Sequence, residues 1–184
     1  MNDVVTNKED NSITEYINKE VVSELRKIYP SALPEENVSL SKAIKEIFSL
    51  TGDQFVFVID EYDVIIRDQK YSSELDGYLT FLVSLFKNSA TAPAIALAYL
   101  TGIMPIIKEK TQSKLNNFKE YTMLNAKDMA PFMGFTEDEV KSLSTQSGME
   151  FDELKKWYDG YNLNEIEIYS PKSVINSVEK RRCD

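Results

Sequence analysis

Residues 55–61 read FVFVIDE, an apolar run that leads straight into Asp60 and Glu61, with Tyr62 and Asp63 behind them. A short, continuously apolar run of this kind is the pattern of a buried parallel strand. It delivers two carboxylates to the strand's carboxyl end, and in open α/β sheets that rim is where ligands bind. An acidic pair there has the charge to hold Mg²⁺ and to orient a water molecule, which is the chemistry of phosphoryl transfer from ATP. The competing reading is an acidic turn that only returns the chain to solvent.

On the amino-terminal side, residues 1–11 form a polar start. Ser12 followed by Glu15 is a capping-box signature, and Ile13, Tyr16, Ile17, Val21, Val22, Leu25 and Ile28 recur at helical spacing up to Pro30. Leu40, Ala43, Ile44, Ile47 and Phe48 mark a second helix ending near Thr51 and Gly52. On the carboxyl side, the apolar stripe from Leu75 to Phe86 predicts a helix packed on a sheet, and AIALAYL at 94–100 predicts a second buried strand ending at Thr101 and Gly102. Strand, helix and strand in that order are the βαβ pattern of a parallel sheet.

Beyond Gly102 the chain turns basic and polar, and Tyr121–Leu124 is a candidate short strand. Thr136 with Glu139 repeats the capping box. Phe151, Leu154, Trp157 and Tyr158 predict another helix, Ile166–Tyr169 a small strand, and Ser170–Pro171 an N-cap with proline at the first helical position. The expected architecture is α/β: a partial parallel sheet with flanking helices over 12–125, then a small, mainly helical lobe over 126–184.

Composition narrows the chemistry. The 184 residues, 42% hydrophobic and 28% charged, are those of an ordinary globular chain. A net charge of −9 argues against gripping a nucleic-acid backbone, which needs clustered Lys and Arg. The run from Ala92 to Ile107 is broken by Pro93, Thr101, Gly102 and Pro105, so no bilayer span is expected, and the acidic start shows no signal peptide. With one cysteine, Cys183, there is no intramolecular disulfide, and the expected location is the cytoplasm. Without histidine, and with that single cysteine, thiolate and imidazole zinc sites are excluded and catalysis falls to carboxylates, lysines, hydroxyls or a borrowed metal.

Several separated segments together resemble the bacterial AAA-ATPase-like family: VFVIDEYD at 56–63, YLTGI at 99–103, LNNFKEYTM at 115–123, FMGFTEDEV at 132–140, LKKWYDGY at 154–161 and IYSPKSV at 168–174. The resemblance implies a P-loop nucleotidase core followed by a lid-like lobe, in proteins that often carry a restriction-type nuclease domain further downstream. By this likeness Asp60 matches the Walker-B aspartate that holds Mg²⁺ through its water shell, and Glu61 the neighbouring acid that polarises the attacking water. Thr101 matches a polar sensor that can hydrogen-bond the γ-phosphate or its water. Asp63 reads first as a loop or helix-cap acid. Lys108, Lys110 and Lys114 read as a solvated loop, Arg67 as the one arginine of the core, and the aromatics of WYDGY as packing residues, with Gly160 permitting a turn.

One departure from the family pattern is decisive. A working phosphate cradle requires G-x-x-x-x-G-K-[ST], and the six glycines, at 52, 77, 102, 134, 148 and 160, nowhere precede a lysine. In the family that motif lies ahead of the region matched by residue 12 onward, and the chain stops at RRCD, short of the family's continuation. The expectation is therefore a piece of an ATPase: Mg²⁺ and ATP are ligands of the parent and are not bound by this chain alone. The alternative is a noncatalytic interaction module or a decaying remnant. Loss of a central strand and its helix would expose an apolar sheet edge and face, which predicts marginal solubility and leaves self-association open.

Overall fold

The computed structural model describes residues 12–33, 37–104, 115 and 117–183. They fall into two compact units, one reaching Phe118 and the other beginning at Lys119.

In the first unit, helix α1 (Ile13–Ile28) opens on the expected capping box, in which the Ser12 hydroxyl accepts from the Glu15 amide and the Glu15 carboxylate accepts from the Ser12 amide. Helix α2 (Leu40–Thr51) is capped by Ser39 and stopped by Gly52 in the left-handed conformation. A side chain from outside each helix satisfies a further amino-terminal N–H. The Ile13 amide donates to Glu74 Oε2 at 2.6 Å, and the Leu40 amide to Asn18 Oδ1 at 2.8 Å. These bonds fix where the helices start and tie α1 to α2.

Strand β1 (Phe55–Ile59) is followed by the short helix α3 (Val64–Arg67), helix α4 (Leu75–Phe86) and strand β2 (Ile95–Leu100). β1 and β2 pair in parallel, with Val56 opposite Leu97, Phe57 opposite Ala98 and Val58 opposite Tyr99, after a register shift between Phe55 and Val56. The expected βαβ unit is present. Phe55, Phe57, Ile59, Ile95 and Ala98 pack on a core drawn from α1, α2, α3 and α4, including Ile44, Ile47, Tyr78 and Leu82. The Phe57 and Phe86 rings meet edge-on at 5.4 Å, and Phe86 meets Phe118 in the same way at 5.5 Å.

β1 departs from the fully buried strand its apolar run predicts. Val56 and Val58 are 61% and 70% exposed, and on β2 Leu97 and Tyr99 are 56% and 45% exposed. The reason is architectural: among the described residues the helices cover one face of the sheet only. An apolar run suited to burial on both faces is buried on one.

In the second unit, a 3₁₀ stretch at Lys127–Phe132 leads into strand β3 (Phe135–Thr136), helix α5 (Glu137–Ser147), helix α6 (Phe151–Tyr158), strands β4 (Asp159–Leu163) and β5 (Ile166–Tyr169), and helix α7 (Pro171–Lys180). The capping box at Thr136 and Glu139 and the Ser170 N-cap with Pro171 in the first turn form as read. A three-stranded antiparallel sheet in the order β3-β5-β4 joins the expected helices. Gly134 approaches this sheet closely, since a Cβ there would lie 2.5 Å from Ile168 Cγ2 and 2.7 Å from the Tyr169 carbonyl oxygen.

Three expectations are corrected here. Tyr121–Leu124 is not a strand: Thr122 and Asn125 close on each other in an isolated bridge, leaving Met123 and Leu124 turned to solvent. Gly160 lies in β4, at a register shift between Asp159 and Tyr161, and does not mark a turn. Of the WYDGY aromatics, Tyr158 packs with Val140, Leu154 and Val174 and its hydroxyl accepts from Ser177, whereas Trp157 and Tyr161 are exposed.

Candidate functional site

The carboxyl ends of β1 and β2 lie side by side because the strands are parallel, and each continues into a tight segment, 60–63 and 101–104 respectively. Backbone bonds join the two. The Thr101 amide donates to the Ile59 carbonyl at 2.9 Å, and the Tyr62 amide to the Thr101 carbonyl at 2.9 Å. The ladder therefore continues for one residue past the strands.

This continuation brings Asp60, Glu61 and Thr101 together. The Thr101 hydroxyl donates to Asp60 Oδ1 and accepts from the Glu61 amide at 3.3 Å. Asp60 is exposed, while Glu61 and Thr101 are half-buried. Glu61 holds φ at 51°, the left-handed region, which costs a non-glycine residue about 1 kcal/mol or more. Such strain at a strand end turns the chain within one residue and aims the Glu61 N–H at Thr101. The arrangement puts one exposed carboxylate, a second carboxylate on the adjacent residue and a hydroxyl on a shared rim.

Asp63 stands where a helix-cap acid was expected, but its partners were not foreseen. It occupies the N-cap position of α3 but makes no capping bond. Instead it is fully buried, and its Oδ2 accepts from the amides of Ile103 and Met104 at 3.1 and 2.8 Å. The Tyr62 hydroxyl donates to the Met104 carbonyl, and the buried Tyr78 hydroxyl donates to the Tyr62 carbonyl at 3.0 Å. Burial pushes the Tyr78 hydroxyl well above the ordinary phenol range, with Tyr62 and Asp63 adding to the shift, so it remains a donor. The sequence carries no local signal for this role of Asp63. Its partners lie 40 and 41 residues away.

The remaining expected residues do not join the site. Lys108, Lys110 and Lys114 lie outside the described residues. Arg67 ends α3 and is exposed. Among the described residues no group of three or more His, Cys, Asp or Glu is arranged around a metal position. Asp60 with water and nucleotide oxygens is nonetheless a fitting donor set for Mg²⁺, which keeps several waters and takes one or two carboxylates alongside substrate phosphates.

The second unit has an open recess of about 490 Å³ whose lining includes Thr136, Glu137, Asp138, Asn162, Glu165 and Glu167. Its acidic lining repels phosphate. Lys155 bridges Glu137 and Glu167 at 3.0 and 2.7 Å, and Lys141 pairs with Glu137. The Lys141 and Lys155 ammonium groups, in that order, together with Glu167, hold the Glu137 carboxyl down to about 2.

The first unit is thus an α/β fold with an acidic rim at the end of a parallel strand pair. The chain belongs to the AAA-ATPase-like family, whose model, described as "Predicted AAA-ATPase", matches residues 2–112 and so contains Asp60, Glu61, Asp63 and Thr101. A curated relative, an uncharacterized protein in the vnfD 5′ region of Azotobacter chroococcum mcd 1, is 26% identical over 153 residues, covering 80% of this chain. The chain spans 29% of that relative's length. No solved structure matches the chain. No helix among the described residues is long and apolar enough to cross a membrane.

Proposed function

We propose that this chain carries the cation- and water-handling half of an ATPase site, completed by a phosphate-binding loop from another segment of a longer polypeptide. The observation that carries the reading is the meeting of Asp60, Glu61 and Thr101 at the carboxyl ends of paired parallel strands, in a chain of the AAA-ATPase-like family. Asp60 would hold Mg²⁺, and the cation would supply positive charge against the phosphate oxygens. Glu61 accepts a proton from the water that attacks the γ-phosphorus as the bond to ADP breaks. The Thr101 hydroxyl has one hydrogen, and Asp60 receives it. Thr101 would act as a sensor by redirecting its hydroxyl hydrogen bond from Asp60 to a phosphate oxygen.

The phosphate cradle has to come from elsewhere, because no glycine of this chain precedes a lysine. The chain by itself is therefore expected to show no micromolar binding of Mg²⁺–ATP by calorimetry. Binding at that level, abolished in Asp60→Asn, would overturn the need for a second segment. The positive test reads the DNA immediately upstream for G-x-x-x-x-G-K-[ST] and assays the joined polypeptide. Asp60→Asn and Glu61→Gln are each expected to lower ATP hydrolysis by about 10²-fold or more, with Glu61→Gln retaining nucleotide binding. Hydrolysis that survives both substitutions sinks the assignment.

A second reading, a noncatalytic interaction module, draws on the exposed sheet face of Val56, Val58, Leu97 and Tyr99. It predicts that no joined polypeptide hydrolyses ATP and that binding of a partner protein is lost on making that face polar.

A further inference from the structure

Asp63 links the two strand ends at a point the Asp60, Glu61 and Thr101 contacts do not reach. Its Oδ2 accepts from two successive amides, Ile103 and Met104, in the turn that begins two residues after Thr101. Its Oδ1 is buried and has no hydrogen-bond partner among the described residues. An unpaired buried carboxylate oxygen is costly, and a neutral asparagine could accept from the same amides at lower cost. An orphaned buried polar atom in a folded protein calls for an explanation, such as stored strain or a functional role.

The other side of the joint is equally constrained. A Cβ on Gly102 would lie 2.7 Å from Asp63 Oδ1 and 2.8 Å from Tyr62 Cε1, so the turn backbone rests directly against both side chains. The Tyr62 hydroxyl holds the Met104 carbonyl, and the Tyr62 amide holds the Thr101 carbonyl. Residues 101–104 are therefore held by both Asp63 and Tyr62, and the Thr101 side chain leaves the backbone just ahead of these contacts, between the Thr101 amide bonded to Ile59 and the Thr101 carbonyl bonded to Tyr62.

We propose that Asp63 is a positioning residue for the rim: by clamping the 103–104 amides against Gly102 it sets the Thr101 hydroxyl on Asp60 and the Glu61 amide on Thr101. Its functional meaning rests on the nucleotide reading above, but the clamp is measurable without nucleotide. Placement of this kind matters because a displacement of about 1 Å at a reacting centre can cost about 10²-fold in rate.

The test is amide hydrogen exchange and chemical shift on the isotope-labelled chain. In Asp63→Ala, Ile103 and Met104 are expected to exchange about tenfold faster or more, and the Glu61 and Thr101 resonances to move, while amides in α2 and α4 keep their protection. Asp63→Asn, whose side-chain oxygen accepts from the same amides, restores all four positions. Gly102→Ala supplies an independent variant with the carboxylate intact and is expected to move the same Glu61 and Thr101 resonances. Unchanged Glu61 and Thr101 resonances in a folded Asp63→Ala or Gly102→Ala protein would overturn the proposal, as would failure of Asp63→Asn to restore them. Because these signals are read without ATP, persistence of hydrolysis in Asp60→Asn defeats the nucleotide reading alone.

Discussion

Thr101 serves two backbone-distant partners with one hydroxyl, donating to Asp60 and accepting from the Glu61 amide. Thr101→Val, nearly the same shape, removes both at once and is expected to cost about 1 kcal/mol in urea unfolding, with Thr101→Ser recovering most of it. A valine variant as stable as the parent would show that neither bond contributes. Gly134 offers a contrasting residue-scale test, because a Cβ there meets the Tyr169 backbone and not a flexible tip. Gly134→Ala is expected to destabilise the second unit by roughly 1–3 kcal/mol, read from the same kind of unfolding curve. Asp60 and Glu61 were legible from sequence because an apolar run ending in acids fixes where a strand stops and what it presents. The grip of Asp63 was not, because nothing local to an aspartate reveals amides 40 residues further on.

Elements with explicit terminal chemistry or a clear apolar pattern were read correctly, and those with neither were not. Ser12 with Glu15 and Thr136 with Glu139 place α1 and α5 because each pair satisfies amide groups that a helix must leave open. Ser12→Ala is expected to cost about 1 kcal/mol, measured as a shift of the urea midpoint of the first unit. β4 carries the sequence DGYNL, with no apolar alternation to announce it; it is a strand because β5 pairs with it. The misread Tyr121–Leu124 shows the converse, apolar residues with no neighbour to pair with beyond their own turn. α5 and β5 are also joined electrostatically, since Lys155 bridges Glu137 on the first to Glu167 on the second. The Glu137 carboxyl is held at about 2 against an ordinary 4.5. A depressed folded value means the contribution is complete above about 4.5 and is lost as the pH falls towards 2. The second unit of Glu137→Gln is accordingly expected to lose stability less steeply than the parent across that window. Parallel curves for the two proteins would rule this out.

Across the whole molecule, the family match ends at residue 112, so the second unit owes its description to its own helices and sheet. In the first unit the exposed Val56, Val58, Leu97 and Tyr99 lie in facing pairs on one side of a two-stranded sheet, an apolar surface open to water. Replacing Val58 and Leu97 by threonine is expected to lower binding of a hydrophobic dye and raise the soluble concentration, with the melting midpoint nearly unchanged, because these side chains give up little buried area. A large drop in stability would mean that the face is packed in solution. The helical layer on the other side was visible in the spacing of apolar residues, whereas exposure of this one was expected only from the missing phosphate-cradle motif, since an apolar run by itself states a preference for burial and not its fulfilment. The rim itself has a kinetic consequence. Its side-chain bonds close loops of 40 and 41 residues, so none can form until the chain has passed through α4 and laid β2 beside β1. Assembly of Asp60, Glu61 and Thr101 then requires the closed crossover, and protection at Thr101 reports that closure.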